Sequence, residues 1–110
     1  VRFGWTKRYG SLKFYSEAPY LSVEACLWLA GRGMRLLGVD VPSIDCHDHG
    51  WKSAKDAPNH RALLGRGGFL VESLANLDKL SGPRVKLMVF PLRIAGGDGS
   101  PARCFARSGS

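Results

Sequence analysis

The sequence predicts an α/β fold in which a mixed β-sheet carries flanking helices. Three observations lead there. A capped helical stretch beginning at Ser22 runs into the apolar run Leu36-Leu37-Gly38-Val39. A second helix-then-strand succession extends from Asn59 to Val71. Finally, Val85-Lys86-Leu87-Met88-Val89-Phe90 has the β-branched and aromatic content of a strand and is closed by a proline.

Val1-Arg2-Phe3 reads as the tail of a strand leading to the turn residue Gly4. Residues 5 to 20 are rich in Gly, Tyr, Ser and Lys without a clear period, which predicts a long surface loop. Its aromatics Trp5, Tyr9, Phe14, Tyr15 and Tyr20 either line a pocket for an aromatic substrate or pin the loop to the core. Ser22 is a good N-cap, Glu24 lies where the helix dipole favours a negative charge, and Val23, Cys26, Leu27 and Ala30 recur at helical spacing until Gly31 and Gly33.

Met34 to Val39 then reads as a strand ending at Asp40. Pro42-Ser43-Ile44-Asp45 opens a loop that carries Cys46, His47, Asp48 and His49 and reaches Pro58. Asn59 is placed to cap a short helix, His60 to Leu64, closed by Gly65, Gly67 and Gly68. Phe69-Leu70-Val71 follows as a buried strand, and Asn76 to Leu80 as a helical turn broken by Ser81-Gly82-Pro83. After the strand from Val85, Gly96 to Pro101 is a turn by composition, and Ala102 to Ala106 returns as a last strand.

Composition narrows the function classes. The chain has 110 residues, enough for one core, with 45% hydrophobic and 23% charged residues. No apolar run approaches the ~20 residues of a bilayer span, so no membrane partner is expected. Sixteen Lys and Arg against nine Asp and Glu give a formal charge of +7. These positive residues are spread over loops, helix ends and strands, without a like-charge block or basic and aromatic interleaving, which argues against nucleic acid. Cys26, Cys46 and Cys104 are odd in number and include no C-x-x-C pair; reduced thiols in the cytoplasm fit best, with Cys26 a small buried hydrophobe. Because the first residue is Val1 and no leader pattern follows, the sequence is expected to begin inside a larger fold.

The chemistry centres on His60 and Glu72, twelve positions apart and each set in an apolar stretch. Imidazole nitrogen and carboxylate oxygen are the ligands a catalytic divalent metal uses. A histidine so placed also serves as a capping or satisfied core residue, whereas a carboxylate after Phe69-Leu70-Val71 is costly unless paired, protonated or metal-bound. Cys46-His47-Asp48-His49 gathers ligand types, but adjacent residues rarely converge on one ion, and a solvated loop accounts for them. Gly65-Arg66-Gly67-Gly68 precedes a strand instead of opening a helix, the wrong order for a phosphate cradle. Ser73 has no neighbouring base and reads as a hydrogen-bonding neighbour.

Four ordered segments, Leu36 to Asp45, His60 to Leu64, Val71 to Leu77 and Pro91 to Arg103, together with Phe3-Gly4-Trp5, resemble the second half of the cyclase or kynurenine formamidase family. The resemblance implies the family's swivelling β/β/α-like domain, incomplete in this chain. Residues 1–110 would form its C-terminal part: strand end and aromatic loop over 1–20, core over 21–106 and tail over 107–110. It implies a metal-dependent hydrolase of linear or cyclic amides, arylformamidase-like or isatin hydrolase-like, using zinc or manganese. In that reading His60 is a metal ligand or catalytic proton carrier, Glu72 a metal ligand, and Ser73 and Trp5 substrate or proton contacts. Ser73 stands where many members have Asn.

The family's His-x-Gly-Thr-His-x-Asp-x-Pro-x-x-His motif does not occur here. The other ligands are therefore expected from a missing N-terminal half or a partner chain. Apolar surface left uncovered by that absence makes a homo-oligomer the expected state. The alternatives are a non-catalytic binding or assembly module derived from the family and an unrelated basic binding protein.

Overall fold

The computed structural model describes residues 1–46 and 57–108. His47, Asp48 and His49 lie outside the described residues. Both helices and strands are present, as the sequence predicts, and the chain divides into two compact units, Val1–Leu77 and Asp78–Ser110. Parallel and antiparallel pairing both occur, but as separate two-stranded ladders, one in each unit.

The first unit is organised around one helix and the strands that follow it. Helix α2, Val23–Gly31, begins where Ser22 Oγ accepts the Ala25 N–H at 3.2 Å, with Glu24 in its first turn. Cys26 on this helix is fully buried among Leu37, Val39, Val41, Ile44, Ala62 and Leu63. Strand β1, Leu36–Gly38, pairs in parallel with β2, Phe69–Val71, in the register Leu36 to Phe69, Leu37 to Leu70 and Gly38 to Val71.

The pairing outlasts the strands. Val39 N donates to Val71 O, Leu74 N to Val39 O and Ser73 N to Val41 O, each at 2.9 Å, so the residues around Glu72 are stitched to residues 39–41. Between the strands runs the short helix α3, Pro58–Leu64, with proline in its first turn, where the missing N–H costs nothing. Its exit is tight: a Cβ on Gly68 would sit 2.8 Å from Leu63 O, so the glycines after α3 serve the return into β2.

Three local expectations change. Val1–Phe3 forms no strand; Asp40, 1% exposed, instead receives the backbone N–H groups of Phe3 at 2.6 Å, Gly4 at 2.8 Å and Trp5 at 3.1 Å, which satisfies a carboxylate that would be costly to bury alone. Residues 5 to 20 are not a plain loop. They hold a 3-10 turn, Trp5–Arg8, and helix α1, Leu12–Ser16, whose Phe14 is buried with edge-on contacts to Tyr9 and Tyr15. Asn59 does not cap α3 but lies within it, buried, and its side-chain amide donates to Leu21 O and Ile44 O, both at 2.7 Å.

The second unit is a hairpin. β3, Val85–Pro91, and β4, Ala102–Ser108, pair antiparallel from Val85 opposite Ser108 to Pro91 opposite Ala102. Pro91 stands at the turn end of the ladder, and Leu92 N beyond it donates to Ser100 Oγ at 3.0 Å. Phe90 and Phe105 meet edge to face with ring centroids 6.2 Å apart. The 3-10 turn Leu77–Lys79 realises the helical turn expected near Asn76. Among the described residues, no helix is long and apolar enough to cross a membrane.

Candidate functional site

Two elements deliver the site. The first turn of α3 presents His60, and the end of β2 presents Glu72; the turn through Gly68 folds one back on the other. His60 Nε2 and Glu72 Oε1 are 3.4 Å apart, and their side chains are 30% and 28% exposed. A twelve-residue separation in sequence is thus closed by a helix, a glycine turn and three strand residues.

Behind His60 lies a residue that sequence reasoning placed only in a motif. Asp45, 4% exposed, accepts the Asn59 N–H on Oδ1 at 2.9 Å, and on Oδ2 both the His60 N–H at 3.1 Å and the His60 ring Nδ1 at 2.6 Å. It supplies the side-chain acceptor that Ala57, at the N-cap of α3, lacks. Nothing in the sequence signals this role, because Asn59 itself reads as the cap and the alanine N-cap is evident only once the helix is seen to start at Pro58. Ile44, one residue earlier, donates its N–H to Glu72 Oε1 at 3.1 Å and accepts from Asn59 through its carbonyl. Asn59 Oδ1 is buried without a hydrogen-bond partner among the described residues.

The electrostatics follow from this placement. The His60 pKa is raised from 6.5 to about 9, first by the hydrogen bond with Glu72; burial opposes the rise, while the Asp45 hydrogen bond and the charges of both acids add to it. Asp45 is the nearer partner and the more deeply buried one, so it constrains the ring most tightly.

Chemistry and spacing also suit a metal. Ligand bonds of about 2.0–2.2 Å at tetrahedral angles put neighbouring donor atoms roughly 3.3–3.5 Å apart, and the 3.4 Å between Nε2 and Oε1 falls in that interval. It is longer than a good charge-assisted hydrogen bond of about 2.7–2.9 Å. His60 and Glu72 are therefore compatible with two ligands of one ion. Among the described residues, no group of three or more His, Cys, Asp or Glu side chains is arranged to hold a metal.

The other candidates sit apart in their bonding. Trp5 uses its indole N–H on Phe14 O at 2.9 Å and has the Arg8 guanidinium 4.8 Å from its ring centre, contacts that pin the segment that carries it. Ser73 follows Glu72 with φ 56°, in the left-handed region that Gly and Asn tolerate best. What its position demands is backbone freedom. Cys46 is a half-buried free thiol next to the undescribed residues.

Fold and geometry together define an α/β scaffold with a His and Glu pair at a helix-to-strand return. A family model described as "Putative cyclase" matches residues 1–46. The chain is 35% identical over 95 residues to a kynurenine formamidase of Bacillus cytotoxicus, covering 86% of this chain and 43% of that protein. It is 33% identical over 103 residues to a kynurenine formamidase of Geobacillus thermodenitrificans, covering 94% and 45%. An isatin hydrolase bound to the product analogue thioisatinate superposes with TM-score 0.78 at 30% identity, covering 93% of this chain and 41% of that one. Isatin hydrolase A from Labrenzia aggregata, bound to benzyl benzoate, superposes with TM-score 0.76 at 32% identity, covering 93% and 42%. Most of the chain is thus similar to cyclase-family proteins, and it spans less than half the length of the curated relatives it matches.

Proposed function

We propose that this chain supplies one wall of a divalent-metal site in a hydrolase of linear or cyclic amides. The observation that supports this most is the 3.4 Å approach of His60 Nε2 to Glu72 Oε1 in a chain similar to kynurenine formamidases and isatin hydrolases. His60, through Nε2, and Glu72 are the residues that would hold zinc or manganese. Such an ion, when bound, lowers the pKa of water and polarises the amide carbonyl.

The chain's own groups prepare that chemistry. Ile44 N–H fixes one oxygen of Glu72, and Asp45 holds the far side of the imidazole. An imidazole held by Nδ1 keeps Nε2 available as a ligand or, in the proton-carrier role, as the atom that takes a proton from attacking water and returns it to the leaving nitrogen. Further donors come from the rest of the protein or from a partner subunit in a homo-oligomer. Three free cysteines support a reducing, cytoplasmic setting.

Metal analysis and turnover of the full-length gene product test the reading. One or two equivalents of zinc or manganese are expected, with hydrolysis of N-formylkynurenine or isatin, and both should be lost in Glu72→Ala. Full activity in a His60→Ala, Glu72→Ala double variant would sink the assignment. The exposed apolar side chains of Phe69, Phe90 and Phe105 favour a second reading, a non-catalytic binding or assembly module. A full-length protein without metal or turnover would select it.

A further inference from the structure

We propose that Asp45 is a positioning residue that decides which nitrogen of His60 carries the proton, holding it on Nδ1 so that Nε2 is presented to Glu72. A carboxylate can only accept, so the 2.6 Å contact requires a hydrogen on Nδ1. The same oxygen, Oδ2, accepts the His60 backbone N–H at 3.1 Å. One atom therefore ties the ring to its own main chain and restricts its rotation.

Two carboxylates compete for the proton of the neutral ring, and distance and burial decide between them. Glu72, at 3.4 Å from Nε2, makes the longer and weaker contact, outside the commonest N–H to oxygen distances of about 2.7–3.2 Å, whereas Asp45 stands at 2.6 Å from Nδ1. Asp45 lies within hydrogen-bonding reach, is nearly inaccessible to water, and is steadied by its own N–H donating to Ser43 Oγ at 3.1 Å. Asp45 therefore wins. Because Ile44 N–H holds Glu72 as well, the tripeptide Ser43-Ile44-Asp45 sets both members of the pair from one short segment.

This inference rests on the metal-site reading only for its consequence, a stronger ligand nitrogen; the hydrogen-bond geometry stands without it. A histidine ligand whose far nitrogen is held by a carboxylate is fixed in orientation and made more basic, and loss of such a partner typically weakens metal binding about 10–100-fold.

The test uses the full-length gene product, labelled with 15N-histidine, treated with chelator and raised in pH until the 15N shifts show the His60 ring neutral. Long-range 1H–15N spectra should show His60 protonated on Nδ1 and bare on Nε2. In Asp45→Asn the amide offers a donor as well as an acceptor, and the tautomer ratio should shift at least about tenfold toward Nε2–H, with zinc affinity by chelator competition falling about 10–100-fold. A wild-type ring carrying its proton on Nε2, or an Asp45→Asn ratio equal to wild type in a folded protein, overturns the proposal. Should Asp45→Asn fail to fold, Glu72→Ala carries the test. With Asp45 as the remaining acid the ring must keep its Nδ1 proton, and a switch to Nε2–H overturns the proposal equally. A wild-type protein that binds no zinc would reject the metal reading while leaving the tautomer result to decide the role of Asp45.

Discussion

Removing the charge of Glu72 should change how the metal-free protein's stability responds to pH. In the folded chain His60 titrates near 9 against 6.5 for a free imidazole. A group whose folded pKa is raised binds its proton more tightly when folded, so its contribution to stability is complete below about pH 6.5 and is lost as pH climbs through about 9. At about 1.4 kcal/mol per pH unit the ceiling is roughly 3 kcal/mol. His60 and Glu72 are 30% and 28% exposed, and solvent screening lowers the expected fall to about 1–2 kcal/mol. The largest cause is the Glu72 hydrogen bond, and Glu72→Gln, which removes the charge, should make the fall shallower. Urea unfolding of chelator-treated wild type and Glu72→Gln at intervals from pH 6 to 10 measures this, and subtracting the two curves cancels other groups that titrate alike in both. A difference curve that stays level between pH 6.5 and 9 would refute the reasoning.

Other substitutions probe the scaffold. Leu63→Ala, at a side chain 2% exposed in the core, should cost about 2–5 kcal/mol, seen as a lower denaturant midpoint with an unchanged slope. Asp40→Ala leaves the N–H groups of Phe3, Gly4 and Trp5 without their acceptor and should cost about 3 kcal/mol; faster amide hydrogen exchange at residues 3–5 would locate the loss. Ser73→Gly relieves a positive φ and should raise stability by about 0.5–1 kcal/mol, whereas Ser73→Val should lower it; equal effects on the melting temperature would contradict the backbone account.

Where local pattern suffices, sequence and structure agree. The Ser22 cap, the helix to Gly31, the strand beginning at Val85 and its return from Ala102 follow from capping, periodicity and β-branched content, all properties of neighbouring residues. Residues 5 to 20 did not yield, because two short helical turns are stabilised by burying Phe14 and by Asp40, not by a repeating apolar face. The Asn59 cap failed for a related reason: its amide found two carbonyls, Leu21 O and Ile44 O, that only the folded chain brings near.

By itself the sequence determined the apolar elements, the resemblance to the cyclase family and the pairing of His60 with Glu72 as candidate ligands. Tertiary structure decided what surrounds that pair. Asp45 reaches His60 across 15 positions, Ile44 reaches Glu72 across 28, and Asp40 reaches Phe3 across 37. Buried carboxylates and backbone N–H groups must be satisfied by whatever partner the fold supplies, and that partner is selected by the path of the chain in space, which no local spacing of residue types encodes.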